Sequence, residues 1–258
     1  GHQAILRGAV DCARRADLEP VAFTFANHPS TVLAPDRVPG LLSSQEERFR
    51  LIQAQGLRVV WVEFGSELSR MSAPVFAHQV LRDRLGARAV SVGPNYRFGH
   101  GALGDAGLLK SMAGALGFEV CRVPALESGG ALVSSSRIRK MVRHGRMEAA
   151  AAALGRPYRL EGLVEAGHCR GAGLGMRTAN LRLGPDRVPP ATGVYAVWAG
   201  PAGDLRPGVA SYGTSPTFGG GPPLLEVHLF DFEGDLYGRA LEVYLMSRLR
   251  EERHFPEA

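Results

Sequence analysis

Hydrophobic residues recur with two different periodicities along the chain. Up to about Gly155, short apolar runs alternate with longer segments in which apolar residues recur at helical spacing, the pattern that βαβ units produce. After Pro157, short alternating segments are separated by Gly and Pro, which is typical of antiparallel strands. The chain is therefore predicted to contain an α/β domain over residues 1–156 and a β domain over residues 157–258.

The first half predicts at least four strands with helices between them. The apolar runs that predict the strands are Pro20–Ala26, Leu57–Phe64, Ala87–Val92 and Phe118–Val123. The segments that predict the helices are one reaching about Arg15, one after Ser43 and Ser44 that ends at Gly56, one that Ser72 can cap, Leu103–Leu116, one from near Ser136, and Met147–Leu154. This order of elements predicts a doubly wound, Rossmann-like sheet.

The second half predicts six short strands. The alternating segments are Tyr158–Val164, Asn180–Leu183, Val194–Ala199, Gly208–Tyr212, Leu224–Phe232 and Ala240–Met246. Six strands at this spacing indicate a small antiparallel barrel. On one predicted strand, Glu226 shares a face with His228, Phe230 and Phe232, so its carboxylate is either a buried reactive group or a charge on an exposed edge strand.

Composition narrows the class of protein. The 258 residues are 45% hydrophobic and 21% charged, which fits a globular protein and excludes collagen, coiled coil and wholesale disorder. No apolar run approaches the roughly 18 residues of a membrane span, and no charged, apolar leader is visible, so we expect neither membrane binding nor secretion. Cys12, Cys121 and Cys169 are odd in number and far apart, which argues against a disulfide framework or zinc site and for a cytoplasmic location.

The net charge of +5 and the pI of about 9.4 raise the question of nucleic acid. The basic residues are scattered, however, and only Lys110 and Lys140 are lysines, which we attribute to genome composition. We therefore expect no nucleic-acid partner, and small molecules that carry phosphate groups are the more attractive ligands.

Two segments place polar groups at the start of a helix. His2 falls at the beginning of the first helix, where free backbone N–H groups and the helix dipole favour phosphate, although a lone histidine there can equally be a surface residue. Val133–Arg139 contains Ser134, Ser135, Ser136 and Arg137. These groups suit both phosphate binding and simple capping with solvated arginines.

Three further candidates follow predicted strands. His28 lies after the first strand, and Asn95 and Arg97 lie after the third. Ligands of open α/β sheets bind at the carboxyl ends of strands, so these side chains are candidates for nucleotide or phosphate binding. The alternative is a structural histidine and an ordinary loop bounded by glycines.

Together these segments resemble the bacterial bifunctional riboflavin kinase/FMN adenylyltransferases, the prokaryotic FAD synthetases. Gly1 and His2 are similar to the end of the family's HxGH motif, from which we expect a chain clipped at its N-terminus. Ser134–Arg139 is similar to the SSTxIR motif, and Asn95 to the polar residue before FRFG.

The second half strengthens the resemblance. Gly167–Leu181 (GHCRGAGLGMRTANL) is similar to GxGRGRxLGFPTANL, with Ala172, Met176 and Arg177 as departures. Gly208–Phe218 and Leu225–Phe232 are similar to later kinase signatures. The resemblance implies a nucleotidyltransferase-like domain followed by a riboflavin-kinase barrel.

The resemblance also implies the chemistry. Riboflavin would be phosphorylated to FMN, and FMN adenylylated to FAD, with ATP as co-substrate in both steps. Thr178 and Asn180 would bind Mg²⁺ and ATP phosphates, Glu226 would be the general base, and His2, Ser135 and Arg137 would stabilise phosphate charge. The glycines Gly171, Gly173 and Gly175 would approach the nucleotide. The departures leave two alternatives, an adenylyltransferase with an impaired kinase and a flavin-binding module without catalysis.

Overall fold

The computed structural model describes residues 1–165, 178–214 and 223–252. The helices are α1 (His2–Ala16), α2 (Ser30–Leu33), α3 (Gln45–Gln53), α4 (Ser66–Arg70), α5 (Ala73–Val75), a π-helix that continues α5 (Phe76–Arg84), α6 (Ala106–Leu116), α7 (Ser135–Arg143) and α8 (Met147–Leu154), with short 3₁₀ turns at Pro35–Arg37 and His100–Ala102. The strands are β1 (Val21–Phe25), β2 (Arg58–Val62), β3 (Ala89–Val92), β4 (Arg97–Phe98), β5 (Gly104–Asp105), β6 (Glu119–Arg122), β7 (Glu127–Ser128), β8 (Ala131–Leu132), β9 (Tyr158–Glu165), β10 (Ala179–Leu181), β11 (Gly193–Gly200), β12 (Arg206–Gly213), β13 (Leu224–Leu229) and β14 (Ala240–Arg250).

The chain divides into two packing units, one of residues 1–39 and 44–127 and one of residues 40–43 and 128–258. The second unit begins earlier in the chain than the domain boundary that the sequence predicts, between residues 156 and 157. The physical reason is that buried residues of α7 and α8, among them Ile138, Val142 and Met147, belong to the same hydrophobic cluster as the barrel interior.

The first unit has the α/β architecture that the sequence predicts. Strand β1 pairs with β2, and β3 pairs with β6, and both pairs are parallel. Helices cover both faces of β1. Ala22 packs with Ile52 of α3 and with apolar residues of α1, whereas Phe23 packs on Phe76 of the π-helix.

The loop after β3 differs from the sequence prediction. Instead of a helix from Leu103, a short antiparallel pair of β4 and β5 precedes α6, and Leu103 is 79% exposed. The turn requires glycine at Gly99, where φ is +75° and a Cβ would lie 2.5 Å from the Ala73 nitrogen. Ser72 occupies the N-cap position before α5, but its side chain makes no capping hydrogen bond.

The second unit contains the predicted six-stranded barrel. The strands close in the order β10-β13-β12-β11-β14-β9, every pair is antiparallel, and β9 pairs with β10 to complete the ring. Alternate side chains such as Leu225, Val227 and Leu229 fill the interior, so their neighbours lie on the outer face. Helix α8 ends where the sequence indicates, at Gly155 in the left-handed conformation.

Candidate functional site

Asn27 joins the carboxyl ends of two parallel strands. Its side-chain oxygen accepts a hydrogen bond from the backbone nitrogen of Phe64 at 2.8 Å, and its amide donates to the carbonyl of Phe64 at 3.1 Å. Next to it, Nδ1 of His28 accepts from the backbone nitrogen of Ser30 at 3.1 Å. A neutral His28 ring therefore carries its proton on Nε2. One role of this predicted site residue is to accept the backbone hydrogen bond of Ser30.

Arg48 of α3 reaches the same strand end, and the sequence analysis missed it. Its Nη2 donates to the carbonyls of Phe25 at 2.9 Å and Ala26 at 3.3 Å, and its guanidinium lies 5.0 Å from the ring centre of Trp61. Its buried Nε has no partner among the described residues. No motif marks Arg48, because only folding brings it to these carbonyls.

His2 is the first residue of α1, as the sequence predicts. Although the side chain retains contact with solvent, desolvation by the protein around it lowers its pKa, and the positive charge of Arg48 adds to this effect. A histidine whose pKa lies below its usual value is neutral at pH 7. His2 can therefore donate one hydrogen bond to a phosphate without adding a positive charge.

The first turns of α1 lie against the carboxyl end of β3. The hydroxyl of Ser91 donates to the carbonyl of Ile5 at 3.3 Å, and a Cβ on Gly93 would be 2.8 Å from Cδ1 of Ile5. Gly93 thus permits close approach of the helix that begins at His2. Asn95 follows two residues later and is exposed.

Arg97 is engaged in an ion pair. Its Nη1 lies 3.2 Å from Oδ2 of Asp105, and both side chains are about half exposed. Asp105 also caps α6 by accepting from the backbone nitrogen of Leu108 at 2.9 Å, and this bond is the main cause of the lowered pKa of its carboxyl group. A phosphate bound by Arg97 would therefore compete with Asp105.

The serine run Ser134–Ser136 lies at the start of α7, in the second unit. Ser134 is the N-cap, and its Oγ accepts from the backbone nitrogen of Arg137 at 3.2 Å. Nη1 of Arg137 donates to the carbonyls of Ser128 at 2.8 Å and Ala131 at 2.9 Å. Capping therefore uses one serine, which leaves the hydroxyls of Ser135 and Ser136 for other partners.

In the barrel, the strand register assembles a polar row on the outer face. Asn180 of β10 is paired with Glu226 of β13, and Glu226 is paired with Ser211 of β12. Directly opposed residues of antiparallel strands have Cβ atoms about 4.5–5.5 Å apart. The structure thus makes Asn180 and Glu226 neighbours, with Thr178 two residues before Asn180. Ser211 was not predicted, because register is not visible in the sequence.

The side-chain oxygen of Asn180 is buried and has no hydrogen-bond partner among the described residues. A buried oxygen without a partner is costly, so this oxygen is suited to accept a hydrogen bond or to bind a cation. On its other side Asn180 is paired with Glu165 of β9, whose Oε1 lies 3.3 Å from Nε of Arg182. Two carboxylates therefore flank Asn180, and that of Glu165 forms an ion pair with Arg182.

Two details of the Glu226 prediction are corrected. Strand β13 has neighbours on both sides, so Glu226 is not on an edge strand. The strand ends at Leu229, so Phe230 and Phe232 lie beyond it, although the rings of His228 and Phe230 remain 5.8 Å apart. Gly171, Gly173 and Gly175, together with Ala172, Met176 and Arg177, lie outside the described residues.

Comparison with known proteins identifies a family for each half of the chain. The family model for FAD synthetase matches residues 1–137, and the model for riboflavin kinase matches residues 154–258. The bifunctional riboflavin kinase/FMN adenylyltransferase of Escherichia coli K12 is 34% identical over 257 residues, with 99% of this chain and 82% of that protein covered. The protein of the same name from Pseudomonas fluorescens is 36% identical over 257 residues, with the same coverage.

A solved structure has the same fold. It is titled a macrolide-efflux protein from Streptococcus pneumoniae, and it superposes with a TM-score of 0.90 at 31% identity, with 100% of this chain and 84% of that chain covered. Within the described ranges of the present chain, no helix is long and apolar enough to cross a membrane. Both family models and the near full-length identities lead to one conclusion: the chain belongs to the family of bifunctional riboflavin kinase/FMN adenylyltransferases.

Proposed function

We propose that this enzyme phosphorylates riboflavin to FMN and then adenylylates FMN to FAD, with ATP as co-substrate in both reactions. Beyond the family match, the observation that carries the proposal is the polar row of the barrel. There Glu226 lies beside Asn180, whose buried side-chain oxygen has no partner among the described residues. Residues 157–258 would carry the kinase activity and residues 1–156 the adenylyltransferase activity.

In the kinase reaction, Glu226 is the general base. Its carboxylate accepts the proton of the riboflavin 5′-hydroxyl as that oxygen attacks the γ-phosphorus of ATP, and ADP leaves. Oxygen atoms are the ligands that Mg²⁺ prefers. The partnerless side-chain oxygen of Asn180 fits this ion, and so does the hydroxyl of Thr178, an exposed residue. When bound there, Mg²⁺ would neutralise negative charge on the ATP phosphates.

In the adenylyl transfer, an oxygen of the FMN phosphate attacks the α-phosphorus of ATP, and pyrophosphate leaves. His2 donates a hydrogen bond from a neutral ring, and Arg97 and Arg137 supply positive charge to the phosphates. The hydroxyls of Ser135 and Ser136 and the amide of Asn95 add donors, Ser134 holds the start of α7, and His28 contributes its Nε2 proton. No covalent intermediate on the protein is required.

The remaining residues and surroundings follow from the same proposal. Gly171, Gly173 and Gly175 allow the backbone to approach the nucleotide phosphates. The partners are the small molecules riboflavin, FMN, FAD and ATP, and the enzyme works in the cytoplasm, where ATP and reduced thiols are available.

The test is incubation of the full chain with riboflavin, ATP and Mg²⁺, followed by separation of the flavins by chromatography. We expect FMN to appear first and FAD later, and FMN supplied alone with ATP to yield FAD and pyrophosphate. Folded protein that forms neither FMN nor FAD would contradict the proposal. Protein that converts FMN but not riboflavin would restrict it to adenylyl transfer.

A further inference from the structure

Folding brings together two cysteines that are far apart in the sequence. Sγ of Cys12, on α1, lies 2.8 Å from Sγ of Cys121, on β6, and the two residues are separated by 109 positions. A disulfide bond has an S–S distance of about 2.05 Å, so a movement of less than about 1 Å joins the two sulfur atoms. Both thiols are free in the structure. The odd number and wide spacing of the cysteines argued against a disulfide framework, because the spacing of residues in the sequence does not reveal this proximity.

The two thiols differ in their access to solvent. Cys12 is 8% exposed, whereas Cys121 lines an open cleft of about 460 Å³. The same cleft is also lined by Arg7, Arg15 and Arg122. A small oxidant can therefore reach Cys121 first, with Cys12 directly behind it.

We propose that Cys12 and Cys121 form a reversible redox pair, in which Cys121 reacts with a peroxide and Cys12 resolves the product to an intramolecular disulfide. The thiolate of Cys121 attacks one oxygen of hydrogen peroxide, the O–O bond breaks, and a sulfenic acid and hydroxide form. The thiol of Cys12 then displaces the hydroxyl group as water. Together the two thiols lose two electrons and two protons, and one peroxide becomes two molecules of water.

The disulfide would connect α1 directly to β6. Because α1 begins at His2, oxidation fixes the helix that carries a residue of the proposed adenylyl-transfer machinery. The bond would also close a long loop, which restricts the unfolded chain and raises the melting temperature. The existence of the redox pair does not depend on the proposed function.

The reaction is slow at neutral pH, because the pKa of Cys121 is raised to about 11. Burial is the main cause, followed by the hydrogen bond with Cys12 and the charge of Glu119 on the same strand, while Arg15 of α1 opposes the shift. Below this pKa the thiolate fraction rises about tenfold per pH unit. Oxidation at pH 9 should therefore be about 100-fold faster than at pH 7, until the peroxide itself becomes limiting.

The decisive experiment treats the reduced, full-length protein with hydrogen peroxide at pH 9, alkylates the remaining thiols and digests it with trypsin without reduction. We expect a cross-linked pair of peptides, Gly8–Arg14 with Ser111–Arg122, two hydrogens lighter than their sum and released by dithiothreitol. Three alkylated cysteines, or a disulfide to Cys169 or between two chains, would overturn the proposal.

Variants assign the order of the steps. In Cys12→Ser, the sulfenic acid of Cys121 has no partner thiol and should be trapped by dimedone, whereas Cys121→Ser should consume peroxide at the rate of the background. Cys169→Ser is the matched control and should give the same cross-linked peptides as the parent. Circular dichroism before oxidation verifies that each variant is folded. Dimedone on Cys12 rather than Cys121 would contradict the assigned order.

Discussion

The two units of the molecule differ in whether their candidate polar site residues have hydrogen-bond or ion-pair partners within the protein. In the barrel unit, the buried side-chain oxygen of Asn180 has no hydrogen-bond partner among the described residues. In the α/β unit, Asn27 bonds to Phe64 and Arg97 is paired with Asp105. The buried oxygen of Asn180 is costly without a ligand, whereas the contacts of Asn27 and Arg97 are made within the protein.

This difference indicates how each site is formed. In the barrel, strand pairing fixes polar groups before substrate arrives, so a substitution there should affect catalysis more than folding. In the α/β unit, the ligand must displace existing hydrogen bonds, so part of its binding free energy is offset. Substitutions there should have smaller effects on rate, and some should reduce stability.

The largest expected effect is that of Glu226→Gln. Loss of a general base typically lowers a rate by about 10²- to 10⁴-fold, so FMN formation should fall by that factor while FAD formation from supplied FMN stays unchanged. The measurement is the initial rate of each reaction by chromatography of the flavins.

Glu165→Gln is the matched control for this change. Glu165 also pairs with Asn180 in the neighbouring strand, but its carboxylate is engaged with Arg182. We expect FMN formation within about fivefold of the parent, since an exposed ion pair contributes at most about 1 kcal/mol. If Glu165→Gln lost the activity and Glu226→Gln retained it, the base would have to be reassigned.

Next in size is the comparison of two asparagines. Asn180→Ala should lower FMN formation by about 10- to 100-fold, because an interaction with a charged group contributes about 1.5–3 kcal/mol, and it should change the free energy of unfolding by less than about 1 kcal/mol. Asn27→Ala leaves two backbone groups of Phe64 without partners and should cost about 1–3 kcal/mol of stability.

The measurements are flavin formation and urea denaturation of both variants. An Asn180→Ala protein that is strongly destabilised but retains full kinase activity would mean that the orphan oxygen is satisfied within the protein. The contrast between the units would then disappear.

Prediction from sequence succeeded where one strand or helix carried the signal. Alternation placed all six barrel strands within a few residues, since each strand buries every second side chain. The pairing of Asn180 with Glu226 could not be predicted, because it depends on the register between two strands distant in the chain. The hydrogen bond from Arg48 to Phe25 and the contact of Cys12 with Cys121 could not be predicted either, because both arise from tertiary packing.

Prediction from local motifs was less complete in the α/β unit. The helix expected from Leu103 begins at Ala106, because Gly104 and Asp105 pair with β4 and Asp105 then caps the helix. Strand pairing thus overrides the helical spacing of the apolar residues. His28 and Arg97 were identified as polar groups at strand ends, but their local partners were not visible.

A smaller effect is expected for Arg97→Gln. If Arg97 exchanges Asp105 for a phosphate, FAD formation should fall about tenfold, which corresponds to about 1.4 kcal/mol, with FMN formation unchanged. Arg58→Gln is the control, since Arg58 forms a similarly exposed ion pair with Glu19 at 2.8 Å in the same unit. Equal rates for both variants would show that Arg97 is only a surface ion pair.

The smallest expected effect separates capping from binding within the serine run. Ser134→Ala removes the acceptor for the Arg137 nitrogen and should lower the free energy of unfolding by about 1 kcal/mol. Ser135→Ala leaves the cap in place, so it should not change stability, but it should lower FAD formation a few-fold by removing one neutral hydrogen bond to phosphate. Thermal melts and initial rates of both variants resolve the two contributions. If Ser134→Ala and Ser135→Ala changed stability alike and left FAD formation intact, the run would act only as the start of a helix.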